Sequence, residues 1–392
     1  MPTIGKEFYL SSYSHARDVS LYFHIPFCSK KCPYCHFFVL PNEERLKRPF
    51  VLALLKEWQM RLPQLEGKRI VSIYFGGGTP TKLAPKEYAL LLNAIQSSGI
   101  QIAGDCEITL EANPEDVSLS LMQELRALGI NRISLGVQSL IDEDLLILGR
   151  THNANRSIAA IEAVYASGIT NISIDLMFEL PRQSLSGWQK CLKALSNLPI
   201  THLSLYNLTF EPHTVFYKKK EQLLPHLPPE EERLQMLQIA VDSLESLGLR
   251  RYEISAFAKE GMRSKHNTGY WTARPFLGFG PSAFSYWEGA RFSNSAHFNK
   301  YLTSLNGSCF PVDFKETLPF PRNLQELLAV RLRLVEGVDL SLFTEAYGQL
   351  PLSLEQTLNT LSLKGWLREE GTHVQLTPLG QLFYDSVASE II

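Results

Sequence analysis

Residues 171–178, NISIDLMF, decide the fold, because their two faces are chemically opposite. Successive side chains of an extended segment point to opposite sides. Ile172, Ile174, Leu176 and Phe178 therefore share one face, and Ser173, Asp175 and Met177 share the other. The same division recurs upstream. Ile133, Leu135 and Val137 oppose Ser134, Gly136 and Gln138; Ile108 and Leu110 oppose Glu107, Thr109 and Glu111; Phe23 and Ile25 oppose Tyr22 and His24. Strand candidates at 20–27, 69–76, 106–112, 132–138, 171–178, 202–209 and 251–257 alternate with helix-period segments at 43–62, 85–97, 118–128, 155–167, 186–196 and 230–247. Such alternation implies parallel strands joined by crossover helices. Parallel strands covered on both faces usually read as continuous apolar runs, so here the helices must cover the apolar face while the polar face lines a shared interior. The expected fold is α/β, an open or partial barrel with a polar lumen that ligands enter at the carboxyl ends of the strands.

Three features gather at those ends. Cys28, Cys32 and Cys35 follow the first strand candidate in a C-x3-C-x2-C spacing. Three thiolates fit an iron–sulfur cluster that leaves one iron open, or a zinc site completed by His24 or His36, although His36 adjoins Cys35 and is badly placed to close a tetrahedron. The second strand runs into Gly76-Gly77-Gly78-Thr79-Pro80, where absent side chains let backbone N–H and C=O groups approach a ligand. No lysine follows in P-loop spacing, which points to an uncharged or zwitterionic ligand rather than a phosphate. Glu111, Gln138, Arg150 and Asp175, on the inner face or just past strand ends, supply carboxylates for hydroxyls and an ammonium, a guanidinium for a carboxylate, and an amide. That inventory suits S-adenosylmethionine, which carries hydroxyls, an ammonium and a carboxylate.

Composition narrows the class without choosing within it. The 392 residues are 45% hydrophobic and 20% charged with a formal net charge of -2, which advertises no polyanionic partner. The longest apolar runs fall short of the roughly 18 residues of a membrane-spanning helix, and residues 1–20 lack the pattern of a secretory signal. Of six cysteines, three crowd into eight residues and three (Cys106, Cys191 and Cys309) are scattered, unlike a disulfide framework. A cytoplasmic location is expected.

The cysteine loop, the GGGTP turn and the order of polar strand ends resemble the radical S-adenosylmethionine family. Within it, YFHIPFC, YFGGGTPT, LEANPED, LGVQS and IDLMFELP are similar to the branch that contains oxygen-independent coproporphyrinogen III dehydrogenases and HemW heme chaperones. The resemblance covers roughly residues 20–385. It implies a partial (β/α)6 barrel, a [4Fe-4S] cluster on Cys28, Cys32 and Cys35, and S-adenosylmethionine on its fourth iron. It further implies cofactor contacts from Tyr22, Tyr34, Gly77, Gly78, Thr79, Glu111, Gln138, Arg150 and Asp175.

The dehydrogenase pattern has a fourth cysteine two residues after the third, and Phe37 stands there; the longer N-terminal extension of that pattern is also missing. His266-Asn267-Thr268-Gly269-Tyr270-Trp271 resembles the HNxxYW signature of the chaperone side. It offers an imidazole for heme iron and two aromatic planes for a porphyrin, with Arg263 and Lys265 nearby for propionates. The implied activity is heme binding and transfer to apo-hemoprotein clients such as respiratory enzymes. The alternative is oxidative decarboxylation of coproporphyrinogen III, or another radical reaction on a tetrapyrrole. Alternation of strand and helix stops near residue 300, so residues 1–300 are expected to form the core and 301–392 a small winged-helix-like accessory domain. Its last helix and wing carry too few basic residues for a nucleic-acid partner. Oligomeric state and peripheral membrane contact are left open by the sequence.

Overall fold

The computed structural model describes residues 17–392, so residues 1–16, including most of the N-terminal stretch read for a signal, lie outside the described part. Six strands follow in order: β1 (Asp18–Ile25), β2 (Arg69–Gly77), β3 (Gln101–Ala112), β4 (Arg132–Gln138), β5 (Asn171–Phe178) and β6 (His202–Asn207). Each is parallel to the next, and they lie side by side in chain order. The crossovers contain α1 (Glu44–Arg61), α2 (Pro85–Gln96), α3 (Leu119–Ala127), α4 (Ala154–Ala166) and α5 (Leu185–Ala194), and α6 (Glu230–Ser246) follows β6. Alternation explains why these residues close up as they do. Leu21, Phe23, Ile25, Ile133, Leu135, Val137, Ile172, Ile174 and Leu176 are all buried in the single large core shared with the helices.

The sheet does not close on itself. On one side β1 pairs in parallel with β9 (Phe276–Phe279), after which β10 (Phe284–Trp287), β11 (Ala290–Asn294) and β12 (Val312–Thr317) add on antiparallel. On the other side the segment read as one further crossover strand is an antiparallel hairpin, β7 (Arg250–Glu253) and β8 (Ala256–Ala258), with β8 against β6. The two residues joining β7 to β8 are too few for a parallel crossover. The result is a partial six-unit barrel inside a twelve-stranded mixed sheet.

The inward face of the barrel is polar, and in its lower half that face is packed rather than wet. Ser72 donates to Ser20 at 2.8 Å, Ser173 bonds His202 at 2.8 Å, and His202 bonds Tyr252 at 2.9 Å. The short helix α7 (Lys265–Trp271) plugs this floor. Glu107 receives the backbone N–H groups of Lys265 and His266, at 3.0 Å each, and faces Arg132 at 3.7 Å. Buried polar groups need partners, and here the plug and the barrel wall supply them to one another.

The chain past residue 300 stays with the large sheet for one more strand. Helix α8 (Phe298–Asn306) packs on α1, and β12 extends the sheet to Thr317. A separate core, including Leu324, Leu328, Phe343, Leu358, Val374 and Val387, begins after that, later than the residue 300 read from periodicity. It unites α9 (Arg322–Arg331), four more helices and a three-stranded sheet of Val338–Asp339, His373–Leu376 and Leu367–Glu370, the first three helices and the strands following the winged-helix order. Arg333 docks this unit on the barrel, donating to Glu253 at 3.2 Å with its guanidinium 4.3 Å from the centre of the Trp271 ring. Among the described residues no helix is long and apolar enough to cross a membrane.

Candidate functional site

The cysteine loop hangs from the GGGTP turn by backbone bonds. The Gly78 N–H donates to Ile25 at 2.8 Å and the Thr79 N–H to Phe27 at 2.8 Å. A Cβ on Gly78 would lie 2.7 Å from the carbonyl carbon of Pro26, so only glycine lets the two chains approach this closely. Gly77 is held at φ +108°, and a Cβ there would strike the His24 ring at 2.5 Å. Cys28, Cys32 and Cys35 are free, half-buried thiols. The Thr79 hydroxyl lies 3.3 Å from the Cys28 sulfur, and Arg150 donates to the Cys32 sulfur at 3.5 Å.

Burial pushes the Cys28 and Cys35 thiols up from their ordinary range, and the neighbouring sulfurs push in the same direction, partly offset at Cys28 by Thr79 and at Cys35 by the Phe37 backbone. Thiols that resist ionisation alone, as Cys28 and Cys35 do, are donors that a cationic iron cluster would stabilise as thiolates. Among the described residues no three of His, Cys, Asp and Glu gather tightly enough to share one metal ion. A cluster takes its ligands at separate corners, so the residues fit it better than they fit a lone zinc. His24 does not complete a zinc site either. Its Nε2 faces the Phe38 carbonyl at 2.9 Å and must donate, which leaves Nδ1 to accept from the Tyr22 hydroxyl at 3.1 Å. Burial holds its pKa down at about 4, so the ring stays neutral.

Behind the loop, the lumen brings together the polar residues read from the strand ends. Tyr22 and Tyr74 stack with ring centres 6.1 Å apart, and the Tyr74 hydroxyl donates to Glu111 at 2.7 Å. The other Glu111 oxygen accepts the Gly77 N–H at 3.1 Å. Arg150 donates to Asn113 at 2.6 Å and to the Gly136 carbonyl at 2.8 Å, while its Nε is buried without a partner. Asn113 in turn donates to Thr79 at 3.2 Å, linking the guanidinium to the cysteine loop. Sequence reasoning missed Asn113, although LEANPED contains it. Gln138 ends β4 at φ +66°, and Tyr34 packs on Phe216 with ring centres 6.3 Å apart.

Two carboxyl groups share this space. Burial raises Glu111, and Asp175 is raised to about 7 by burial and by the charge of Glu111, against the pull of Ser204, Arg132 and Arg150. A cation brought between them would relieve both. An ammonium or a sulfonium would be such a cation.

His266 is not at the mouth. It is 1% exposed, in the floor of the barrel. Ser72 gives its proton to Ser20, so His266 Nδ1 donates to Ser72 at 3.0 Å and Nε2 accepts from the Tyr270 hydroxyl at 2.8 Å. Burial, then the charges of Arg274 and Arg132, hold its pKa down at about 3. Arg263 and Lys265 are likewise taken, by Glu336 at 2.8 Å and by the Asp105 carboxylate. The aromatic half of the motif behaves differently. Tyr270 and Trp271 line a cavity of about 570 Å³ between the cysteine loop, the β9–β11 strands and α9. Its volume is in the range of about 300–1,000 Å³ usual for small-ligand sites.

Residues 22–195 match the radical SAM superfamily, and residues 322–383 match the HemN C-terminal domain. The chain is 33% identical to the heme chaperone HemW of Bacillus subtilis over 94% of its own length and 97% of that protein's. To the heme chaperone HemW of Escherichia coli it is 32% identical, over 94% and 97%. Its fold matches that of coproporphyrinogen III oxidase (HemN) from Escherichia coli with a TM-score of 0.83, covering 99% of this chain and 93% of the other at 23% identity. The radical SAM match spans the barrel and its cysteine loop, and the full-length relatives add the C-terminal unit. This chain therefore belongs to the radical S-adenosylmethionine superfamily and, within it, to the HemW family.

Proposed function

We propose that the protein binds a [4Fe-4S] cluster, S-adenosylmethionine and heme, and passes heme to apo-hemoproteins. The observation that carries this reading is the end-to-end similarity to relatives named as heme chaperones, which includes the C-terminal unit that walls the aromatic cavity. When bound, the cluster and S-adenosylmethionine would supply one-electron chemistry. Cys28, Cys32 and Cys35 hold the cluster, with Arg150 set against the Cys32 sulfur. Glu111 and Asp175 receive the positive end of S-adenosylmethionine, the Gly77–Thr79 backbone its flank, and Tyr22, Tyr34 and Gln138 the remaining edges. The six free cysteines suit the cytoplasm, where thiols stay reduced.

The second reading is a radical enzyme acting on a tetrapyrrole, favoured by the likeness of fold to HemN. Against coproporphyrinogen decarboxylation stands Phe37, half-exposed at 52% where that pattern has a cysteine. Reconstitution without oxygen, followed by S-adenosylmethionine with either heme or coproporphyrinogen III, separates the two. Stoichiometric heme retention and transfer to an apo-hemoprotein, with no protoporphyrinogen formed, is the expected result. Turnover of coproporphyrinogen would overturn the chaperone reading.

A further inference from the structure

We infer that heme occupies the aromatic cavity beside the cysteine loop, with His36 ligating its iron and Arg274 holding a propionate. This assignment rests on the heme-chaperone reading and names the site that reading lacks. It also moves the iron ligand from the histidine of the HNxxYW stretch to the histidine next to Cys35.

The walls suit a flat apolar macrocycle. Phe37 contributes from the cysteine loop, Tyr270 and Trp271 from α7, Phe284 from β10 and Leu327 from α9. Phe37 and Phe284 are 52% and 56% exposed, which is unfavourable for isolated phenyl rings in water. A porphyrin plane laid against them would bury that surface and stack on the rings.

An iron ligand needs a free lone pair. His24 and His36 both line the cavity, and His266 sits beneath Tyr270. The acceptor nitrogens of His24 and His266 are occupied by the hydroxyls of Tyr22 and Tyr270, and freeing either would leave buried polar groups unpaired. Among the described residues His36 has no hydrogen-bond partner for its ring, and it is exposed. Its one ring neighbour is Phe37, 4.8 Å away between centres. Of the three, His36 alone can turn a nitrogen to iron without breaking a bond.

The carboxylates of heme need cations. Arg291, at the cavity rim, is already neutralised by Glu316 at 2.6 Å and by Glu326. Arg274 differs. It donates only to the Lys265 carbonyl at 2.9 Å and to Ser20 at 3.3 Å, with no carboxylate in ion-pair contact among the described residues. Its Nε is buried without a partner, and so is the Nε1 of Trp271. A carboxylate accepts only, and one placed here would give the Arg274 guanidinium the ion-pair partner it lacks.

The test is a heme titration of the anaerobically reconstituted full chain, read by the Soret band and by far-UV circular dichroism. The wild type is expected to bind one heme with the spectrum of an imidazole ligand. His36→Ala shifts the Soret band and weakens binding about tenfold or more, and free imidazole restores the band. Leu327→Trp, remote from the cysteines and filling the cavity, weakens binding with the band unmoved and the fold intact. Retention of wild-type affinity and spectrum by both variants would overturn the assignment while leaving the chaperone reading in place. Absence of any specific heme band in the wild type would overturn the chaperone reading itself.

Discussion

Asp175 is the residue whose replacement separates the energetics of the empty lumen from its ligand chemistry. It lies in β5 opposite Ser204 of β6, and burial with the nearby Glu111 charge raises its pKa from an ordinary 3.8 to about 7. Below pH 3.8 the group is protonated folded or unfolded and contributes nothing to the pH dependence. Between 3.8 and 7 the folded chain binds more protons than the unfolded one, so stability falls as pH rises, and above 7 the whole penalty is present. A shift of about three units at about 1.4 kcal/mol each gives about 4 kcal/mol. Part of the side chain opens to the lumen, so about 2–4 kcal/mol is the range to expect once water is allowed to screen the charge. Asp175→Asn keeps the shape and cannot ionise. In urea titrations of the ligand-free chain it should be the more stable protein at pH 8, with its advantage growing by about 2 kcal/mol from pH 5 to pH 8. The same change should weaken S-adenosylmethionine, measured by isothermal titration, by about 1.5–3 kcal/mol, the worth of a hydrogen bond to a charged group. Parallel stability curves for the two proteins would refute the argument that Asp175 is held in a low-dielectric site. Unchanged ligand affinity would remove it from the binding set.

Three further expectations test other parts of the structure. Glu57 accepts from Arg61, Asn294, the Gly280 N–H and Tyr301, all buried; Glu57→Ala should cost about 3–5 kcal/mol in chemical denaturation by stranding Arg61, and a loss below about 1 kcal/mol would mean that water reaches the pair. Gly78→Ala forces a Cβ onto the Pro26 carbonyl, so it should cost about 1–3 kcal/mol and lower the iron bound per chain after reconstitution; full iron content would show that the cysteine loop tolerates displacement. His266→Ala loses its bonds to Ser72 and Tyr270 and should cost about 1–3 kcal/mol without moving the Soret band of bound heme; a moved band would return the ligand role to this histidine.

The six crossover units were legible because one face of each strand is consistently apolar. Alternation of that kind survives any detail of register, and all six parallel strands lie within a few residues of where it puts them. What it could not convey is whether an inward polar residue meets a ligand or another residue. Asp175 and His202 look alike in the pattern, yet His202 is sealed between Ser173 and Tyr252. Glu57 and Arg61 have the i,i+4 spacing common on exposed helix faces, and nothing in α1 alone announces that β11 and α8 will cover them. The hairpin at 250–258 was read as a crossover strand, since the tight turn that reverses it carries no glycine or Asn-Gly signal.

The HNTGYW stretch divides between two environments, with His266 in the barrel floor and Tyr270 and Trp271 on the cavity wall. A seven-residue helix cannot point all its side chains one way. With its amino end held by Glu107 and Ser264, α7 turns His266 toward the barrel floor and delivers Tyr270 and Trp271 to the cavity. The bond from Tyr270 to His266 then fixes the phenol ring that forms the wall. On this account the imidazole shapes the porphyrin site through its neighbour, a positioning role that demands the same histidine as ligation would. The two roles predict different spectra, because a ligand sets the energy of the heme transitions and a support for the wall does not. The residue that faces the cavity with its nitrogens unengaged, His36, reads in the sequence as a candidate zinc ligand badly placed, next to Cys35, to close a tetrahedron. The same position, one residue past Cys35, is what brings it to the cavity edge.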